Sequence, residues 1–274
     1  MSDIDLKNCR PPYFIHSDVF AVRDILPPKK TARNINDFLS THHEYLQDVF
    51  GPELIFPAFN YDFCDSCIFS VDEAKIQVGA LPEFLKTQGD YNRSSVPFFS
   101  VLTKSDIYLN ENKGQITPFG SGSIFEYLHK ENGTIVFYGA TFSSFTFIHY
   151  IEDYLGPPSY RYDKTFEGVI KNAGGQTFVS LAMHVRPLGK ELHYDWNKIE
   201  QNLSESGVLV NSEFHPRIKF ASCKALIDFF EVKLSEDPFY MLAPNCKQTF
   251  IDLTADGTKR LVMEDFEDVS LSYD

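Results

Sequence analysis

The sequence predicts an α/β fold built around one large core, and three observations carry that prediction. Short apolar runs that read as strands alternate with segments of helical periodicity, sequence-level caps mark where strands give way to helices, and 274 residues at 43% hydrophobic content are enough for one core of that size. No stretch rich in Pro, Gly or Ser is long enough to demand a boundary, and there is no internal repeat. The chain is therefore read as a single domain over 1–274, with a C-terminal elaboration from about residue 175.

The elements follow in order. Tyr13 to His16 reads as a short strand, with Ser17 and Asp18 as caps before a helical run over 19–25. After the Pro27–Lys30 break, residues 34–50 place Ile35, Phe38, Leu39, Tyr45, Leu46 and Phe50 at helical spacing, and Gly51-Pro52 ends the helix. Residues 54–59 read as a strand that Pro57 keeps short, bulged or at an edge, because proline cannot donate to a ladder. Ser123 with Glu126 forms a capping box that predicts a helix from Ile124 to about Lys130. Thr134 to Tyr138 follows as a buried strand, Gly139-Ala140 turns the chain, and Phe145, Ile148, Ile151 and Leu155 recur at helical spacing. Beyond Tyr160, a strand over 177–185 and helices over 195–203 and 223–234 complete the pattern.

Composition excludes several classes of function. A formal net charge of -13 argues against nucleic acid, which needs a clustered basic surface, and is compatible with a cationic substrate such as a polyamine or amino sugar. No apolar run approaches membrane-spanning length and residues 1–7 carry no leader pattern, so the expected location is the cytoplasm. The five cysteines are an odd, scattered set that fits reduced thiols. Cys64 and Cys67 form a CxxC with no second short-spaced ligand pair, so buried, inert thiols and no metal are expected. The neighbouring pair His42-His43 reads as a solvated helix face, and His184 and His193 lack acidic partners at diagnostic spacing.

The stretch with the most chemistry in it is the run that contains His149 and Glu152. On a helix, residues three apart share a face, so the imidazole and the carboxylate point the same way and form a plausible general base. The aromatic and β-branched content of 145–151 keeps a strand alternative open, in which the two would face opposite sides. An HxxE alone is more often a half-buried histidine satisfied by a neighbouring acid.

Four segments in this order resemble the aminoglycoside 3-N-acetyltransferase family: His16-Ser17-Asp18; the stretch Phe56 to Cys64; Gly79 to Leu85 followed by Arg93-Ser-Ser-Val-Pro-Phe-Phe-Ser100; and Phe119 to Ser123 leading through Gly139 to His149-x-x-Glu152. The family carries a histidine where this chain has Val96, and a serine where it has Asp18. The resemblance implies a layered α/β/α fold with a central mixed sheet, distinct from the GNAT architecture, and acetyl-CoA as co-substrate with no metal.

Roles follow independently from the residue chemistry. Acyl transfer to an amine needs a base and donors for the developing oxyanion, which assigns His149 as base and leaves Glu152 either to orient it or to bind the acceptor's ammonium. Coenzyme A phosphates want exposed amides, hydroxyls and a cation, which assigns His16, Ser17, Asp18, Gly120, Ser121 and Ser123, with Arg93, Ser94 and Ser100. Tyr61, Asp62, Asp65 and Glu73 are candidates for the acceptor pocket. The expected partners are a small-molecule amine and, as a candidate homodimer, a second copy of the chain. Three readings of function follow: N-acetylation of an amino sugar, nucleotide-linked and destined for a surface polysaccharide; aminoglycoside modification conferring antibiotic resistance; and a CoA-binding protein without catalysis.

Overall fold

The computed structural model describes residues 9–25, 32–105 and 114–267; the leader reading of 1–7 and the break at 27–30 lie outside them. Its centre is a seven-stranded mixed sheet. The strands are β1 (Tyr13–Ser17), β2 (Leu54–Pro57), β4 (Asn92–Arg93), β5 (Val101–Thr103), β7 (Thr134–Tyr138), β10 (Val210–Asn211) and β11 (Ile218–Ser222), in the order β10-β11-β7-β1-β2-β5-β4. A second sheet runs β3-β8-β9-β6, from β3 (Ile68–Ser70), β6 (Gly114–Ile116), β8 (Tyr162–Asn172) and β9 (Gly175–Val185). Its body is the β8/β9 hairpin, paired from Tyr162↔Val185 to Asn172↔Gly175.

Helices cover both faces of the central sheet. Against one lie α1 (Ile35–Phe50) and α3 (Ala80–Gln88), where Leu39, Leu46, Leu81 and Leu85 pack on Tyr13, Ile15, Phe56 and Tyr138. Against the other lie α4 (Ile124–Lys130), α5 (Phe147–Tyr154), α6 (Trp196–Glu205) and α7 (Cys223–Glu236), with Phe125, Phe147, Ile199 and Leu226 meeting Phe14, Ile135 and Phe137. Neighbouring residues of one strand thus feed opposite cores, as the period of two requires, which is why β1 and β7 read as continuous apolar runs. Two further helices, the single turn α2 (Phe63–Ser66) and α8 (Pro244–Leu253), cover the second sheet and the Tyr160–Tyr162 region. The expected layered α/β/α arrangement with a central mixed sheet is what the chain adopts.

The Ser123 cap acts as its spacing implied, and the structure adds another at Asn34. Asn34 accepts from the Asp37 amide at 2.9 Å and Ser123 from the Glu126 amide at 3.1 Å, while Glu126 reaches back one residue further than a standard box, to Gly122 N at 2.8 Å. Residues 19–25 are not a helix, however, but turns ending in a 3-10 turn at Arg23–Ile25. Asp18 caps only the Phe20 and Ala21 amides, and Val19 and Val22 are both buried. In the sequence, proline at 27 and 28 disfavours helical backbone in the residue before it.

Two other expectations are corrected. His42 is fully buried and bonds the Tyr138 hydroxyl at 2.7 Å, and His43 bonds Tyr91 at 2.9 Å, so this pair faces the sheet rather than solvent. Cys64 and Cys67 are exposed, because Phe63 takes the one inward position of the short α2 turn; all five cysteines are free thiols. The region read as a C-terminal elaboration contributes β10 and β11 to the central sheet, β11 pairing antiparallel with β7 from Ile218↔Tyr138 to Ser222↔Thr134.

Candidate active site

The topology singles out one place for a ligand. From the central strand β1 the chain crosses over α1 to its parallel neighbour β2, while its other parallel neighbour β7 is reached later, so the carboxyl ends of β1 and β7 sit side by side where the winding reverses. There Gly139 closes on Ser17, and it must be glycine: its φ is +77°, and a Cβ would lie 2.2 Å from the Asp18 carbonyl oxygen. Gly79, at φ +88°, presses on the same turn, its Cβ position 3.1 Å from Ser17 O. The Ser17–Asp18 turn is thus gripped from two sides.

At this end of β1, His16 and Ser17 hold polar atoms without a partner. His16 is buried and its Nε2 is unbonded, as is Ser17 Oγ. The His16 ring stacks on Phe137 at 5.4 Å, and burial lowers its pKa to about 3, so it is a neutral imidazole. Unbonded buried polar atoms carry a desolvation cost unless a ligand or water meets them. Asp18 spends its side chain on the turn, pointed at amides rather than into the space above.

From Gly139 the chain passes a 3-10 turn (Phe142–Ser144) into α5, whose Phe147, Ile148 and Ile151 are fully buried in the helical face that anchors it. His149 and Glu152 share a face: His149 Nδ1 lies 3.0 Å from Glu152 Oε2, with the Glu152 side chain buried and the His149 side chain 28% exposed. Phe119 packs its ring 5.3 Å from the imidazole.

Glu152 is the hub. Its Oε1 accepts from Tyr160 OH at 3.0 Å and Tyr194 OH at 2.6 Å, and Arg161 Nε stands 3.2 Å from Oε2. Arg161 also donates to Tyr194 OH at 2.6 Å. His184, on β9, brings Nε2 to 3.4 Å from Oε2 without hydrogen-bond alignment, and Nδ1 to 3.7 Å from Asp153 Oδ1. Burial alone would raise the Glu152 pKa; the Arg161 guanidinium, with the bonds from His149 and His184, overcomes it and holds the carboxyl well below its usual range. Burial lowers the His149 pKa, Glu152 pulls it back up, and Arg161 and His184 push it down again, leaving it lowered. A carboxylate fixed on Nδ1 means that Nδ1 carries the hydrogen, so Nε2 is the free lone pair.

His149, Glu152 and His184 each offer an atom within 4.8 Å of the others, close enough to converge on a metal ion. Arg161 already supplies a positive charge against the shared carboxylate.

The remaining predicted residues are dispersed. Ser94, Val96 and Ser123 line one small cavity with Phe99 and Ile116, and Phe99 packs 4.6 Å from the Phe119 that covers His149. Gly120 lies beside α5, its Cβ position 3.5 Å from Asp153 Oδ2, and Ser121 is exposed. Arg93 does something else. It is buried; its Nε bonds Ser100 Oγ at 3.0 Å, one terminal nitrogen bonds Ala58 O at 2.5 Å, the other bonds Ala74 O, and its guanidinium lies over the Phe69 ring. With Ser100 also on Ala58 O at 2.6 Å and Ser94 Oγ on Val101 N at 2.9 Å, this signature ties loops together and turns its donors away from solvent phosphate.

Tyr61, Asp62, Asp65 and Glu73 are exposed, Asp62 being held by Gln77 and Asn60 at 2.7 and 3.0 Å. Among the described residues no hydrogen bond or ion pair joins these four to the dyad. Tyr160, Arg161, His184 and Tyr194 belong to the site and are absent from the sequence-derived set. Arg161 had a local signal, an arginine between aromatics just past the Gly-Pro-Pro that ends α5; His184 and Tyr194 reach Glu152 from distant elements and left none.

The model of the aminoglycoside 3-N-acetyltransferase family matches residues 45–235. No curated protein matches the chain in sequence. Among solved structures, AAC-IIIb in a binary complex with CoASH is 19% identical at TM-score 0.62, over 85% of this chain and 94% of that one. The acetyltransferase AAC(3)-Xa is 18% identical at TM-score 0.61, over 82% and 86%, and YokD from Bacillus subtilis 15% identical at TM-score 0.60, over 85% and 97%. These identities speak for the fold; the family match, which takes in most of the chain, speaks for the chemistry. The chain belongs to the aminoglycoside 3-N-acetyltransferase family and is an acyl-CoA-dependent N-acyltransferase.

Proposed function

We propose that the protein transfers an acetyl group from acetyl-CoA to an amine of an aminoglycoside-type amino sugar, with His149 as general base. The observation that carries this reading is the His149–Glu152 bond of 3.0 Å on a partly open imidazole; at the carboxyl end of β1, His16 Nε2 and Ser17 Oγ lie buried and unbonded. Those two atoms fit a polar ligand such as the pantetheine arm or the thioester.

Acetyl-CoA supplies a thioester carbon, and the acceptor supplies the nitrogen that attacks it. As the C–N bond forms, His149 Nε2 takes the proton from that nitrogen; Glu152 keeps the Nδ1 hydrogen in place and stabilises the imidazolium. When the C–S bond breaks, the same proton passes to the departing thiolate, giving amide and free CoA thiol. Glu152 orients the base rather than binding the acceptor's ammonium, since its two oxygens are already met by two tyrosines, an arginine and a histidine.

The family description and the acidic surface support an aminoglycoside acceptor, and solved relatives are complexes of AAC(3)-IVa with a gentamicin and with apramycin and of AAC-VIa with sisomicin. A nucleotide-linked amino sugar finds no support in these matches. One observation favours an anionic acceptor as a second reading: the cleft beyond Gly139 is lined by Thr141, Trp196, Arg217 and a Lys219 paired with Glu200, and the Arg217 side chain has no partner among the described residues. Thiol release from acetyl-CoA, measured against aminoglycosides and nucleotide-linked amino sugars, decides between them. Turnover with gentamicin or apramycin is expected. Turnover confined to the nucleotide-linked sugars would transfer the assignment to the second reading, and CoA binding without turnover on any amine would leave a non-catalytic protein.

A further inference from the structure

His184 has a geometry that its sequence context did not foretell. Lodged on β9 with its side chain almost fully buried, it turns Nε2 to Glu152 Oε2 at 3.4 Å and Nδ1 to Asp153 Oδ1 at 3.7 Å. Each ring nitrogen therefore faces a carboxylate oxygen. Neither contact is an aligned hydrogen bond, so charge decides the protonation state: a neutral imidazole would set a lone pair against one of the two anions, whereas the imidazolium is attracted to both. His149 differs, with one nitrogen on Glu152 and the other free.

We propose that His184 is a positioning residue held as an imidazolium, which offsets Glu152 together with Arg161 and so sets the pH at which His149 becomes a free base. The inference rests on the reading of His149 as the base. The charged and titratable groups around His149 are Glu152 and Asp153 from α5, Tyr160 and Arg161 from the segment before β8, His184 from β9 and Tyr194 from the segment before α6. Burial lowers the His149 pKa most and Glu152 pulls it back up; Arg161 and His184, two cations on the same carboxylate, offset that pull and help keep Nε2 free. Burial by itself would lower the His184 pKa, and its contacts with Asp153 and Glu152 outweigh burial, so the net direction is upward.

The test combines nitrogen NMR of the imidazoles with the pH dependence of kcat/KM for acetyl-CoA. In the wild-type protein at pH 7.5 both His184 nitrogens should be protonated; a neutral tautomer overturns the proposal without any variant. In His184→Gln the His149 titration and the acidic limb of kcat/KM should both move up by about one pH unit, because a repelling cation is gone. A uniform loss of rate with the His149 titration unmoved marks a purely structural role and overturns this inference alone. An acidic limb in the wild type that does not track the His149 titration overturns the assignment of the base and this inference with it.

Discussion

Two arginines are buried in this protein to nearly the same degree, Arg93 at 7% exposure and Arg161 at 6%, and they do opposite things. Arg93 meets neutral partners: two carbonyls, a serine hydroxyl and a phenylalanine ring. Its charge is poorly compensated, and burial lowers its pKa to about 10. Arg161 meets a carboxylate, and although burial opposes its charge, Glu152 raises its pKa instead. A buried cation on neutral acceptors is a brace that ties loops; the same cation on a carboxylate sets the electrostatics of whatever shares that carboxylate. Here what shares it is His149.

The contrast can be broken at either end. The largest effect is expected from Glu152→Ala, which leaves Arg161 buried without a counter-charge: stability should fall by about 3 to 5 kcal/mol in denaturant unfolding, with acetyl transfer lost. A stable, active Glu152→Ala protein would mean that Arg161 and His149 do not depend on the carboxylate. Next comes Arg93→Met, expected to cost about 2 to 4 kcal/mol through the carbonyls it strands, with KM for acetyl-CoA unchanged in the folded fraction. A rise in that KM at unchanged stability would return Arg93 to the phosphates.

The uncharged side of the comparison has a pH signature. His16 and His42 are buried neutral, with pKa values lowered by burial to about 3 and about 4. Because the folded values lie below the unfolded one near 6.5, the unfolded state takes up protons first as pH falls, so stability is lost from about pH 6.5 down towards those values. The slope should reach about 1.4 kcal/mol per pH unit for each histidine. Bound CoA should flatten the His16 share if His16 Nε2 is its contact; identical acid midpoints with and without CoA would separate the two. Smallest is Tyr138→Phe, which removes the 2.7 Å bond to His42 on the face of the sheet away from the site. About 1 to 2 kcal/mol of stability should go, with kcat and KM unchanged, whereas a change in kcat would show that the two faces are coupled.

The sequence discloses what is written locally. Alternating apolar runs, the Ser123 cap and the three-residue spacing of His149 and Glu152 each depend on neighbours in the chain, and each is found as read. The second sheet is hidden in the sequence because a long hairpin with polar residues on its outer face resembles a lone strand plus loop; only its pairing reveals it. Arg93 reads as a phosphate ligand because sequence shows a cation and two serines but not the carbonyls of Ala58 and Ala74 that claim it. His184 has no acid near it in the chain; its acids come from α5, across the site.

The central claim is that His149, fixed by Glu152, takes the proton from the attacking amine. Its most direct test is single-turnover acetyl transfer by His149→Asn at saturating acetyl-CoA and acceptor, with CoA affinity measured in parallel. The account predicts a rate lower by about two to four orders of magnitude at unchanged CoA affinity. An undiminished rate would contradict it and put the base elsewhere.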